Sequence, residues 1–286
     1  MRIGNLDGRL VILTDAGAID VERASGGQFG PGPQGVYERW AEFTAWAATA
    51  RGSEEPYDKE LLGAPAPAPR QSFGIGLNYR DHADESGFGV PDQPSVFTKF
   101  PSCITGPYTD VALPPGGHTD WEVELVAVIG AEAWHASEAD GWSHVAGLCV
   151  GQDLSERITQ MASKPPQFSM GKSFPGFGPT GPWLVTPDEL PDRDDLRLRC
   201  SVDGRVLQDG RTKDMIFAVP ELVARISAVC PMSPGDLIFT GTPSGVGMGR
   251  KPPEFLRPGT TLVSTIEGLG ELRNALVAAP GLGPGR

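Results

Sequence analysis

An unbroken apolar run preceded by two acids constrains this chain more than any other feature. Leu125, Val126, Ala127, Val128 and Ile129 follow one another, and Gly130 stops them. The length and β-branched content are those of a strand, and the run is too apolar for an ordinary wet face. Directly before it stand Asp120, Trp121, Glu122, Val123 and Glu124. In a strand, residues i and i+2 share a face, so Glu122 and Glu124 project side by side. Two readings are open. The pair can be a solvated strand end, as most acids are. Alternatively a hard cation relieves their repulsion, since Mg²⁺, Mn²⁺ and Ca²⁺ all prefer carboxylate oxygens.

A third carboxylate follows the next apolar run, where Gly147 to Gly151 leads into Gln152 and Asp153. Asp153 either completes a three-carboxylate Mg²⁺ or Mn²⁺ site or caps a helix beginning at Leu154. Zinc fits less well, because no paired His or Cys accompanies the acids.

Three other stretches carry chemistry. His82 and Glu85 lie three apart, neighbours on one helical turn, where the carboxylate can raise the basicity of the imidazole; taken alone, they read more simply as a surface His beside a surface Glu in an acidic loop. Gly171, Lys172 and Ser173 resemble the end of a phosphate loop, but the glycine that motif requires falls on Pro166. Lys172 reads instead as a fixed cation for a substrate carboxylate or enolate. Gly241, Thr242, Pro243, Ser244, Gly245, Val246 and Gly247 form a Gly-rich loop after a strand, with the Thr242 hydroxyl available to a ligand. The pattern is not that of a serine nucleophile.

With 38 glycines and 28 prolines punctuating short apolar runs, the chain reads as a β-rich α+β protein. Residues 1–60 read as a small N-terminal α/β unit, with a strand over Leu10 to Leu13 and a helix presenting Val36, Trp40, Phe43 and Ala47 on one face. The alternating Ala-Pro segment from Ala64 to Pro69 reads as a stiff, exposed linker ending near residue 70. The catalytic domain is expected over residues 71–278. Within it, Leu196, Leu198, Cys200 and Val202 alternate ahead of an Asp203-Gly204 hairpin turn. A helix opens at Val219 and Pro220 and buries Leu222, Val223, Ile226 and Val229. A last strand is expected near Thr261 to Ile266, then a flexible tail over 279–286.

A net charge of −12 argues against nucleic acid or an anionic membrane as partner, yet leaves room for a small anionic substrate beside a metal. Four scattered cysteines without a C-x-x-C pair fit a reducing cytoplasm, and neither a signal peptide nor a membrane-spanning run is evident.

Taken together in order and spacing, these stretches resemble the fumarylacetoacetate hydrolase family over residues 72–277. The carriers are Gly76 to Tyr79 with His82 and Glu85, Phe97 to Lys99, Asp120 to Leu125, Asp153 to Ser155 with Arg157, and Gly171 to Phe174. Gln208 to Gly210, Asp214 to Phe217 and Gly241 to Gly247 complete the set. The resemblance implies rolled mixed β-sheets in a sandwich- or barrel-like core around a divalent-metal site, and a homodimer. It implies Glu122, Glu124 and Asp153 as ligands of Mg²⁺ or Mn²⁺, with Ca²⁺ as a possible occupant, and His82 with Glu85 as the water-activating pair. Lys172 matches the active-site lysine, and Arg80, Lys99, Arg157, Gln160 and Thr242 fall at substrate-contact positions. Asp120 is not a ligand in that pattern. Glu156 and Ile158 depart from the residues the family usually places after the third ligand, and the segment Pro175 to Pro179 departs from close acylpyruvate hydrolases.

The expected activity is metal-dependent hydrolysis of a carbon–carbon bond in a 2,4-dioxo acid such as an acylpyruvate, as in the breakdown of aromatic compounds. Decarboxylation of an oxaloacetate-like acid and isomerisation or hydration of an unsaturated 2-oxo acid are the alternatives. A non-catalytic metal-binding member is a further one.

Overall fold

The apolar run becomes the strand Val123–Ile129, and all seven of its residues are buried. In the computed structural model, which describes residues 1–81 and 91–279, this strand lies deep in an eleven-stranded open sheet. It pairs antiparallel with Val145–Gln152 on one side and with Leu237–Phe239 on the other. Beyond Val145–Gln152 the sheet continues through Gly178–Val185, Arg2–Leu6 and Arg9–Leu13 to Ala18–Asp20; beyond Leu237–Phe239 it ends with Ser72–Gly76 and Ser95–Thr98. A second sheet orders Arg205–Arg211, Arg197–Val202, Thr261–Ile266, Gly270–Ala278 and Val111–Leu113. The fold is sheet-rich, as expected. Among the described residues neither sheet closes into a barrel.

Both faces of Val123–Ile129 are covered, for different reasons. Leu125, Ala127 and Ile129 meet Leu198, Cys200, Leu262 and Leu272 of the second sheet in one core. Val126 and Val128 point the other way and pack with Ile3, Tyr37 and Phe43 from the N-terminal residues in another. Burying each Val- or Leu-sized side chain is worth about 1.5–3 kcal/mol, so a strand this apolar needs both covers. Ile3 pairs with Leu184, which ties the N-terminal segment into the same sheet.

Three local expectations are corrected. The Ala-Pro segment is not an exposed spacer: Ala64 and Ala66 are buried, and the Ala64 and Pro65 carbonyls accept hydrogen bonds from Asn5 Nδ2 and Tyr37 Oη. Its prolines lack N–H groups, so an extended run can press against the core without stranding buried donors. Val229 is 83% exposed, because the helix Val219–Ser227 ends before it and its position no longer follows the apolar stripe. The chain also does not finish its strands at Ile266: Gly270–Ala278 follows and pairs along the whole of Thr261–Ile266. The hairpin turn is as expected, with Asp203 at φ 48° and Gly204 at φ 81°. Of the expected tail over 279–286, residues 280–286 lie outside the described residues.

Candidate metal centre

Glu122, Glu124 and Asp153 converge so that one carboxylate oxygen from each lies within 4.8 Å of the others. Strand parity brings the glutamates together, and Asp153 arrives at the end of the neighbouring strand, its N–H donating to the Glu122 carbonyl at 2.9 Å. Gly151 stands opposite Glu124, and a Cβ there would lie 2.3 Å from Val126 Cγ2. All three acids are buried, at 7%, 1% and 0% exposure, so the solvated strand end is excluded. Nor does Asp153 cap a helix. The short helix Arg157–Gln160 is capped by Glu156, whose carboxylate accepts from the N–H groups of Ile158 and Thr159.

Cations are threaded through the acids. Lys172 Nζ donates to Glu122 Oε2 at 2.7 Å, Asp153 Oδ2 at 2.7 Å and Ser155 Oγ at 2.8 Å. Its three N–H bonds are thereby filled. Lys99 Nζ donates to Asp153 Oδ1 at 2.7 Å, to the Phe177 carbonyl at 3.1 Å and to the Lys172 carbonyl. Arg157 bridges Asp120 and Glu122, with Nη2 2.7 Å from each, and Nη1 reaches Gln160 Oε1 at 2.8 Å. Backbone donors finish the setting: Gly241 N–H reaches Glu124 Oε2 at 2.8 Å. Gly241 takes φ +98°, where an added Cβ would lie 2.7 Å from Asn78 Cβ. Gly171 lets its helix, Phe168–Gly171, close on Gln160, since a Cβ there would be 2.8 Å from the Gln160 nitrogen.

The four carboxylates of this network, including Asp120, face three cations among the described residues, leaving one negative charge in excess. Burial, then the charges of Asp153 and Glu122, push the Glu124 carboxyl well above its usual range, with Lys172 opposing. For Lys172 burial works against the charged form, but Asp153 and Glu122 outweigh it and the ammonium is held above its ordinary value. A buried acid cluster that raises proton affinity is short of positive charge. Three carboxylates, with no thiolate or imidazole beside them among the described residues, fit a hard divalent cation such as Mg²⁺ or Mn²⁺. One such ion would turn the excess to a single positive charge, suited to an anionic substrate.

A cavity of about 710 Å³ opens beside the cluster at Glu122; Glu124 and Asp153 are not among its lining residues. Glu122, Arg157, Gln160, Lys172 and Thr242 all line it, together with the apolar Ile75, Leu77, Met161 and Phe168. Arg80 is exposed and Lys99 is buried behind Asp153; neither is among the lining residues. His82 and Glu85 lie outside the described residues. The Thr242 hydroxyl is engaged by the Val123 carbonyl and by Gln208 Nε2. Sequence reasoning passed over Gln152 and Gln208, whose Oε1 atoms accept from the N–H groups of Glu122 and Val123 and so fix the strand end. Their signal was only a polar residue within a motif. Arg250 and Lys251, also on the cavity wall, were missed because they follow a Gly-rich loop with no periodic pattern.

The sequence profile described as fumarylacetoacetate (FAA) hydrolase C-terminal matches residues 71–277. A Mycobacterium smegmatis protein named HpcE superposes with a TM-score of 0.94 at 51% identity, covering 98% of this chain and all of that one. Human mitochondrial oxaloacetate tautomerase FAHD2A is 44% identical over 223 residues, 78% of this chain and 71% of that protein. Maleylpyruvate hydrolase of Sphingobium sp. SYK-6, solved with manganese(II) and pyruvate, has a TM-score of 0.77 at 25% identity, covering 98% of this chain and 100% of that one.

Proposed function

The chain belongs to the fumarylacetoacetate hydrolase family, and from that premise we propose that it hydrolyses a carbon–carbon bond in a small 2,4-dioxo acid of the acylpyruvate type. The observation that carries the reading is the convergence of Glu122, Glu124 and Asp153 beside a cavity whose wall holds Lys172, 2.7 Å from two of them. A divalent ion held by those three carboxylates would supply Lewis-acid polarisation of the 2-oxo-carboxylate end and charge for an enolate. Lys172 holds a permanent positive charge where negative charge develops, and Arg157 fixes Glu122 against rotation. The apolar wall of Ile75, Leu77, Met161 and Phe168 excludes water from the acyl chain.

His82, oriented by Glu85, takes a proton from water, and the water oxygen attacks the carbonyl carbon distal to the carboxylate. The bond from that carbon to the methylene breaks, the oxygen leaves within a carboxylic acid, and the electron pair becomes the enolate of pyruvate. Protonation at carbon completes the turnover. The roles of His82 and Glu85 rest on the family motif in the sequence.

A second reading, tautomerisation of an oxaloacetate-like acid, is favoured by the 44% identity to human oxaloacetate tautomerase. It needs proton transfer through the same enolate and no attacking water; decarboxylation or isomerisation would share that enolate. Ultraviolet absorbance of enolised acylpyruvates and of oxaloacetate, followed with Mg²⁺, Mn²⁺ or chelator, separates them. Metal-dependent loss of the acylpyruvate signal with release of two acids is expected, and its collapse in His82→Ala. Turnover of oxaloacetate alone would reject the hydrolase reading.

A further inference from the structure

The one-turn helix Arg157–Gln160 puts two polar side chains on the cavity wall, yet no apolar face of its own holds it there. Arg157 and Gln160 are its buried residues, while Ile158 and, just beyond the turn, Met161 are each 51% exposed. A single turn has little stability by itself, because too few bonds repay its nucleation. The task falls to Glu156. Its buried carboxylate accepts from the N–H groups of His118 at 2.8 Å, Ile158 at 3.1 Å and Thr159 at 2.7 Å, and from Thr159 Oγ1 at 2.6 Å. The His118 carbonyl reciprocates, accepting from Arg157 N–H at 3.1 Å. His118 is itself anchored: its ring stacks on Phe255 at 4.3 Å, and the next carbonyl, that of Thr119, accepts from Leu256 N–H. Gly117 permits the close approach, since a Cβ there would lie 3.3 Å from Glu156 Cγ and Oε1.

What the turn holds is the orientation of Gln160. Arg157 Nη1 donates to Gln160 Oε1, which settles the amide and leaves its NH₂ group, without a hydrogen bond among the described residues, for a ligand in the cavity that Gln160 lines. We propose that Glu156 is a positioning residue for this cavity, clamping Arg157–Gln160 to the His118 turn so that Gln160 presents a donor to an anionic ligand. This rests on the reading that a 2-oxo acid occupies the cavity, and not on hydrolysis. The hydrogen bonds of the Glu156 carboxylate reach none of the three clustered acids. Loosening the clamp therefore weakens the ligand and spares the ion.

Two variants test this. Glu156→Ala removes all four acceptor contacts. Glu156→Gln is milder: with its oxygen on the Oε1 side it keeps His118 and Ile158, the Thr159 hydroxyl turns to accept, and the Thr159 N–H alone is stranded. Calorimetry on the full chain, with Mn²⁺ titrated first and pyruvate second, reads the two affinities apart. Without the clamp, pyruvate must order the turn as it binds, so its apparent affinity falls with the fraction still ordered. Pyruvate affinity should drop roughly five- to tenfold in Glu156→Ala and two- to threefold in Glu156→Gln, with Mn²⁺ affinity kept within about twofold in both. If Glu156→Ala does not fold, Glu156→Gln decides alone. Unchanged pyruvate affinity, equal losses for pyruvate and Mn²⁺, or no pyruvate binding by the wild type would overturn the clamp. Because binding is read without turnover, the expected losses alongside no hydrolysis of any dioxo acid by the wild type would reject the proposed reaction and leave the clamp standing.

Discussion

Asp120 touches no ligand position, yet the structure makes it the residue on which the site's rigidity depends. Its Oδ1 accepts from the N–H groups of Trp121 at 2.8 Å and Gly247 at 2.7 Å. Its Oδ2 accepts from Met248 N–H at 2.9 Å and from Arg157 Nε and Nη2 at 2.9 and 2.7 Å. Asp120→Asn keeps the shape and replaces one oxygen by an NH₂ group. Placed on the Oδ1 side, that group faces two backbone donors; placed on the Oδ2 side, it faces three. The cheaper orientation strands two buried N–H groups, about 1–3 kcal/mol each, and also removes the charge opposite Arg157. Arg157 keeps Glu122, so the total should stay near the roughly 3–5 kcal/mol typical of a broken buried pair. Urea unfolding of the metal-free protein measures the loss directly. Since Asp120 is not a ligand, the rise in melting temperature on adding Mn²⁺ should persist in Asp120→Asn and vanish in Glu124→Gln. A loss under 1 kcal/mol, or abolition of the Mn²⁺ response in Asp120→Asn, would refute the reasoning.

Two further outcomes follow from the same geometry. Glu124 has a raised folded pKa, so the stability its proton contributes is fully present below the unfolded value of about 4.3 and is lost as pH rises through the folded one. Unfolding free energy of the metal-free protein should therefore fall from about pH 5 upward; a Glu124→Gln profile as steep as the wild type would contradict the assignment. Gly241→Ala forces a Cβ to 2.7 Å from Asn78 Cβ at φ +98°, a strain of about 1–3 kcal/mol, and shifts the N–H that holds Glu124. Mn²⁺ affinity measured by calorimetry should drop together with stability, and an unchanged affinity would show that this N–H does not position the ligand.

The three carboxylates and Lys172 were legible because they depend on local rules. Glu122 and Glu124 share a face by strand parity, Asp153 ends the next apolar run, and a lysine in a Gly/Pro-rich segment has few structural uses. The paired antiparallel register of Val123–Ile129 with Val145–Gln152 then brings Asp153 level with Glu122. The departures at Glu156 and Ile158 also acquire a physical sense: Glu156 caps the helix Arg157–Gln160, with its carboxyl held below the usual range because hydrogen bonds outweigh burial, and Ile158 is 51% exposed.

What stayed hidden was everything set by contacts between distant segments. No periodicity says that Lys99 is spent behind Asp153, that Gly241 aims its N–H at Glu124, or that Gln152 and Gln208 hold the strand end from two directions. The same is true of the N-terminal residues, whose Ile3, Tyr37 and Phe43 cover the face of the strand that the second sheet leaves bare. The amino-acid sequence by itself determined which groups could bind a metal and which strand would carry them, since parity and composition act within a few residues. Only the tertiary structure decided which cations those groups would neutralise, because hydrogen-bond saturation and charge balance are properties of a packed neighbourhood.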